Sequence, residues 1–434
     1  MEKTALKTRT LLALCLAASA LTGGAAHGKV IAINTPALSL TLDRIGTLPD
    51  DQQPVWRDYV LRSQLQMQVD RQSLVNELEP GQEPPPPPQA VGPSAYNMPI
   101  DRPAEWYGTA EARQVADTIV SFQTPAGGWS KNQNRAGPPR LPGQRYANDA
   151  ETMTQDPGNF DAPHDRFWTF VGSLDNEATT TEMRFLQQVA AALPGDEGDK
   201  YRESFVRGVQ YLLAAQYPNG GWPQNWPLEG GFHDGITFND NAVARAATLL
   251  GEVATQPQYA FVPQYLRARS ATATAKGIEV ILAAQVRRDG ALLGWPQQVD
   301  PLTLEPISAR NYEPRSIASG ETTDILEFLM SRPDPSPEMR AAIEGGVAWL
   351  RSAAVRDYAW ERVGNEGRKL FPRAGAGPLW SRNYDVNNGQ PIFGDKDRTI
   401  HDDVNNISEG RRNGYSWWVT QPQRALDAYE NWGK

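Results

Sequence analysis

The sequence predicts an all-α fold in which helix hairpins are arranged in a ring, and three observations carry that expectation. Beyond about residue 100, apolar residues recur at helical spacing over segment after segment. No segment shows the two-residue alternation of a half-buried strand. Three helical segments also end alike: SFQTPAGGW at 121–129, LAAQYPNGGW at 213–222 and LAAQVRRDGALLGW at 282–295. In each, a helix stops, Gln follows, and a Gly turn delivers a Trp that can pack back on the helix pair. The steps from Gln123 to Gln216 and from Gln216 to Gln285 are unequal, which argues against a tight solenoid. Hairpins in a ring, with their loops and a cleft at one end, fit better.

The first element is a processing signal. Lys3, Lys7 and Arg9 precede the apolar run LLALCLAASALTGGAA, which ends in small residues at Ala25 and Ala26. Residues 1–26 are therefore expected to be removed on export, leaving a secreted or periplasmic protein. The run is shorter than the roughly 20 apolar residues that span a bilayer, and Cys15 follows the bulky Leu14, so the mature chain is expected to carry no membrane anchor. Cleavage removes the only cysteine, which excludes thiol catalysis and leaves stability to a large core or a bound ion. The length of 434 residues, with 40% hydrophobic residues and 13 Trp, supplies such a core. Loss of the signal takes the formal charge from −9 to about −11. That balance excludes nucleic acid as the main partner, but a cleft with local cations remains open to a polyanion.

Residues 27–93 form an extension with a helix expected over 54–78, followed by GQEPPPPPQAVGP. Pro84 to Pro88 make an extended spacer, so a boundary is placed there, and the extension is read as a docking extension or, in preference, a loosely ordered stem. Residues 94–434 form the main domain. Thr109 caps its first helix, which presents Ala112, Val115, Ala116, Ile119 and Val120 on one face. Further helices are expected over 179–193, 201–216, 240–253, 265–285, 322–330, 337–354 and 421–432.

The loops between these helices hold the candidate chemistry. Asp175, Asn176 and Glu177 precede a capping box from Thr179 to Glu182. With Asp240 beside Asn239 they read either as helix caps or as hard oxygen ligands for Ca²⁺. Lys131, Arg310, Arg382 and Lys396 each stand beside an aromatic or Gly-turn residue. Grouped around a groove they suit carboxylates; singly they are surface charges. Trp129, Trp222, Trp295 and Trp380 suit either ring stacking or core packing. His27, His164, His233 and His401 make no metal-spaced cluster, so zinc is not expected. No GxSxG, phosphate-binding or dinucleotide fingerprint occurs.

QTPAGGWSKN, LDNEATTTEMRFL, YPNGGWPQ, ITFND, LEPISARNYEP, WSRNYD and RRNGYSWW follow one another in this order. In these motifs, from about Trp106 to the C-terminus, the chain resembles polysaccharide lyase family 10, the pectate lyases. The resemblance implies an (α/α)3 barrel-like toroid that binds polygalacturonate with Ca²⁺ and cleaves it by β-elimination. It matches Arg310 to the base that takes the C5 proton. Asp175, Asn176 and Asp240 match the calcium-binding region, and Lys131 and Arg382 the contacts to substrate carboxylates. Lys396, His233 and Tyr312 complete the expected substrate-binding set. The chain departs from the family pattern where Lys396 replaces Arg, Arg398 replaces Gly, and Asn241 and Gly235 replace Asp and His; Glu177 is expected to restore a charge near the metal.

A neutral arginine is needed to accept a proton. Nearby positive charge and desolvation favour that form, so activity is expected to rise into alkaline pH, on a monomer. Two other readings use the same residues. An inverting glycoside hydrolase would employ Asp175 and Asp240 about 6.5 to 9.5 Å apart, and a non-catalytic pectin-binding protein would have no need of Arg310.

Overall fold

A computed structural model describes residues 29–89, 98–148, 159–162, 165 and 168–432. The expected signal over 1–26, the end of the spacer near Pro93, His27 and His164 lie outside the described residues.

The helices of ten or more residues are α1 (Gln53–Asn76), α2 (Ala110–Ser121), α3 (Thr180–Ala192), α4 (Asp199–Ala215) and α5 (Ala242–Thr255). They continue with α6 (Gln264–Ala283), α7 (Ser319–Met330), α8 (Pro337–Ala353) and α9 (Pro422–Asn431). Three consecutive pairs, α3–α4, α5–α6 and α7–α8, pack as hairpins, with α2 against the first and α9 against the last. The first helix of each pair is the more buried and lies inside, while α4, α6 and α8 follow one another outside. The fold is the all-α toroid expected.

The Gln-turn-Trp endings explain how successive hairpins are joined. Trp129, Trp222 and Trp295 are fully buried, and each indole Nε1 donates to a carbonyl of the helix just ended: Ile119 (2.7 Å), Leu212 (2.8 Å) and Ile281 (2.7 Å). Trp380 does the same to Leu350 at 2.7 Å. These tryptophans are core, not ring-stacking, residues. Gln123, Gln216 and Gln285 donate to their own turns and also to the carbonyls of Ser204, Ala273 and Ala342 on the next outer helix, at 2.8 to 2.9 Å. One amide thus closes a turn and fastens neighbouring hairpins, which satisfies buried carbonyls at every step of the ring.

Three expectations are corrected. The capping box is not formed: Thr179 adopts φ 64°, and its hydroxyl accepts from Trp129 N (3.0 Å) and donates to Ser173 O (2.8 Å). Glu182 is buried in an ion pair with Arg135 instead. Strands, unseen in the sequence, do occur. The longest are Tyr358–Arg362 and Arg368–Pro372, an antiparallel hairpin, and many others are two residues long, too short to have a readable period. The extension is also not a stem. Trp56 and Tyr59 of α1 are buried against Tyr217, Tyr59 Oη donates to Ala215 O (2.8 Å), and Val30–Ile33 pairs antiparallel with Thr399–His401. The aromatic face of α1 requires cover from water, and the ring provides it.

Candidate active site

The loops at the N-terminal ends of the inner helices converge on a cavity of about 440 Å³. Its lining brings together Lys131, Asp175, Asn176, Asp240, Arg310 and Arg382, with Phe170, Glu313 and Tyr415. These residues come from segments scattered over nearly 300 positions, and the toroid supplies their common end.

Two acidic turns form the floor. Asp175–Glu177 leads towards α3 and Asn239–Asn241 leads into α5. Asn176, Glu177, Asp240 and Asn241 all have positive φ, between 49° and 64°, a conformation that costs free energy and is retained where side chains must be aimed. Asn176 N donates to both Asp175 Oδ1 (3.1 Å) and Asp240 Oδ2 (3.2 Å), drawing the two carboxylates together. Asn176 Nδ2 donates to Asn132 Oδ1 at 2.9 Å.

Two like charges this close cannot ionise equally. Burial, then repulsion from Asp175, pushes Asp240 up to about 8. Burial also opposes ionisation of Asp175, but the Lys131 ammonium outweighs it and holds this carboxyl well below the usual range. Lys131 Nζ bonds Asp175 Oδ2 and lies 3.6 Å from the centre of the Phe170 ring. Phe170 itself has φ 57°, an uncommon geometry for so bulky a residue.

Opposite stands Arg310, in the turn 308–313. Glu313 Oε2 accepts from its Nε at 2.8 Å and Glu313 Oε1 from its Nη2 at 2.6 Å, a bidentate pair. Tyr415 Oη donates to the same Glu313 Oε1 at 2.6 Å. Burial works against the charged guanidinium, but the Glu313 carboxylate reverses the balance and raises the affinity of Arg310 for its proton. Glu313 is held down at about 2: its burial is outweighed by Arg310. Arg382 Nη2 donates to Asn239 Oδ1 (3.1 Å) and Glu321 Oε1 (3.2 Å), and its guanidinium lies 4.6 Å from the Tyr415 ring centre.

The other expected residues lie outside this lining. Tyr312 is buried beneath Arg310 and Arg411, whose guanidinium carbons are 4.9 and 3.9 Å from its ring centre. His233 is buried between Phe170 and Phe232. Lys396 is exposed; only its backbone reaches the site turn, accepting from Asn311 Nδ2 at 3.2 Å. Glu177 adds no charge to the floor, because Arg245 takes its carboxylate. Glu313, Tyr415 and Phe170 were not singled out from the sequence. The first two lie within the quoted motifs SARNYEP and RRNGYSWW, but only the fold shows that they meet.

The chemistry of the floor fits a hard dication. Asp175, Asp240 and the amide oxygens of Asn132 and Asn176 are the donor types that calcium takes, and two carboxylates drawn onto one backbone N–H make a place for positive charge between them. Among the described residues no group of three or more His, Cys, Asp or Glu forms a ready metal cage. The same closeness leaves no room between Asp175 and Asp240 for the water of an inverting hydrolase.

The family model described as pectic acid lyase matches residues 123–426. Among solved structures, the family 10 polysaccharide lyase from Cellvibrio cellulosa is 30% identical, with a TM-score of 0.63 over 80% of this chain and 99% of that one. A mutant of that enzyme in complex with trigalacturonic acid matches with the same identity and TM-score, over 79% of this chain and 100% of that one. No curated protein sequence matches the chain. The family match covers most of the chain and its outer limits enclose every residue of the cavity lining: this chain belongs to the pectic acid lyase family, and it is a pectate lyase of the family 10 polysaccharide lyase type.

Proposed function

We propose that this enzyme cleaves polygalacturonate by calcium-assisted β-elimination, with Arg310 taking the C5 proton. The observation that carries the proposal is the convergence of Lys131, Arg310 and Arg382 on the paired carboxylates Asp175 and Asp240 in one cavity. Lys131 and Arg382 would bind uronate carboxylates flanking the scissile bond, and Lys396 is a candidate for an outer subsite. Asp175, Asn176 and Asp240 would hold Ca²⁺, which when bound supplies a Lewis acid for the carboxylate at the reacting sugar. Arg310 removes the proton from C5, the electron pair forms the C4–C5 double bond, and the C4–O4 bond breaks. The O4 that leaves takes a proton from water.

Arg310 must be neutral at the moment of transfer. Burial favours this, whereas Glu313 opposes it. The rate therefore rises with pH through the alkaline range. The chain is further proposed to be exported, on the charged and apolar pattern of residues 1–26.

Absorbance of the unsaturated uronate, followed with Ca²⁺ or with chelator, tests the mechanism. Calcium-dependent product is expected from the wild type, with a loss on the order of a thousandfold in Arg310→Ala. Reducing sugar without the absorbance, or a rate maximum on the acidic side, would overturn Arg310 as the base. Asp240→Asn is expected to raise the calcium concentration for half-maximal rate by about tenfold or more.

A further inference from the structure

We propose that the N-terminal segment 29–40 is a strap that positions the Arg310 turn, with Asn34 as its positioning residue. This inference rests on Arg310 as the base.

Asn34 is buried, and its amide Nδ2 faces three carbonyls of that turn: Arg310 (3.2 Å), Asn311 (3.0 Å) and Glu313 (3.3 Å). Its Oδ1 accepts from Thr35 N at 3.1 Å, which fixes the orientation of the amide. Asn34 N donates to Arg398 O at 2.7 Å, and Ser308 Oγ bonds Thr35 O. The strap thus joins the turn carrying Arg310 to the turn carrying Lys396. Further along, Leu40 N donates to Asp234 Oδ2 (2.9 Å) and Ser39 Oγ accepts from Gly231 N (2.7 Å). A single extended segment therefore spans three loops, two of which line the cavity. It lies outside the family match, which begins at residue 123.

The arrangement has a direct bearing on proton transfer. Three carbonyls that project together repel one another, and the Asn34 amide supplies the N–H groups that hold them so. Glu313, which orients the guanidinium, belongs to the same turn, so its backbone sets where Arg310 reaches. A misplacement of about 1 Å at a reacting group is enough to slow a reaction by up to a hundredfold. Asn34 touches no reacting atom; it acts through Arg310.

The test compares full-length wild type, Asn34→Ala, Arg310→Ala and the double variant. Asn34→Ala is expected to lower kcat on the order of tenfold while KM stays within about twofold. In the Arg310→Ala background the same change should not affect the residual rate. Asn34→Asp, which turns a carboxylate on the carbonyls, should be at least as slow as Asn34→Ala. Thermal melts establish that each variant is folded at the assay temperature; if Asn34→Ala is not, Asn34→Ser, which keeps one donor, serves in the same comparison. Wild-type kcat in folded Asn34→Ala, or an equal loss with and without Arg310, would overturn the strap. Near wild-type activity in Arg310→Ala would instead overturn Arg310 as the base and is read separately.

Discussion

Arg310 is held by an anion, and that contact sets how readily the guanidinium gives up its proton. The sequence reading placed positive charge around this arginine and expected the neutral form to be favoured. Glu313 supplies the opposite influence: its carboxylate bonds both Nε and Nη2 and keeps the guanidinium charged. Replacing Glu313 by Gln removes that charge, so the alkaline limb of the kcat profile should move to lower pH by about one unit or more. The plateau should fall about tenfold because the bidentate clamp is lost as well. Rate against pH for Glu313→Gln checks both. The site residues that cluster in the cavity, from Lys131 to Arg382, could be named from the sequence because each lies in a short, recognisable loop motif. Tyr415 could not, since its partner Glu313 is 102 positions away and only the fold brings them together. Lys396 and His233 carry suitable side chains, but Lys396 faces solvent and His233 is packed between phenylalanines, and neither disposition can be read from residue type.

At the scale of elements, the repeating unit is a hairpin fastened by one Gln and one Trp. The carbonyls that receive the glutamines, on Ser204, Ala273 and Ala342, stand 69 residues apart in turn. The regular step was hidden in the sequence because the segment from Trp129 to α3 is far longer than those from Trp222 to α5 and from Trp295 to α7. Glycines recur on the same outer helices, at Gly208, Gly277 and Gly346, and a Cβ at Gly277 would come within 2.9 Å of the Trp222 ring. Two effects compete in Gly277→Ala: about 1 kcal/mol gained in helix propensity and about 1 to 3 kcal/mol lost to overpacking in a filled core. Since Trp222 is fixed by its bond to Leu212, it cannot give way, and overpacking wins. Denaturant unfolding should show a net loss of up to about 2 kcal/mol. Helix spans were legible within a few residues because caps and 3.6-residue periodicity act locally. The cap of α3 was misjudged because the Thr179 hydroxyl is claimed by Trp129 and Ser173 from outside the helix.

At the scale of the whole molecule, catalysis and stability are expected to favour different pH. Asp70 and Asp234 are fully buried, and burial pushes each up to about 6. A carboxyl whose folded pKa is raised binds its proton more tightly in the native state. Its contribution is present below the unfolded pKa near 4 and is lost as pH climbs through about 6. Each group then costs at most about 3 kcal/mol above neutrality. Glu313, held down at about 2, contributes in the opposite sense, favouring folding above about 4.5 and losing that as pH falls towards about 2. Stability should therefore peak in the mildly acidic range, while the proposed base works best in the alkaline one. Asp234 is the place to test this, because it receives Leu40 N of the strap and Gly230 N, both at 2.9 Å, and does not line the cavity. Asp234→Asn is neutral at every pH, but its amide nitrogen replaces one of the two oxygens that accept from Leu40 N and Gly230 N. The variant should therefore melt lower than the wild type near pH 4, and its deficit should shrink by a few degrees between about pH 4 and pH 8 as the wild-type carboxyl ionises. Parallel melting curves across that range would show that Asp234 does not contribute to the decline. Should the deficit shrink as expected, the wild type is less stable in alkaline assays than near pH 4, and rates there are best read from the initial phase.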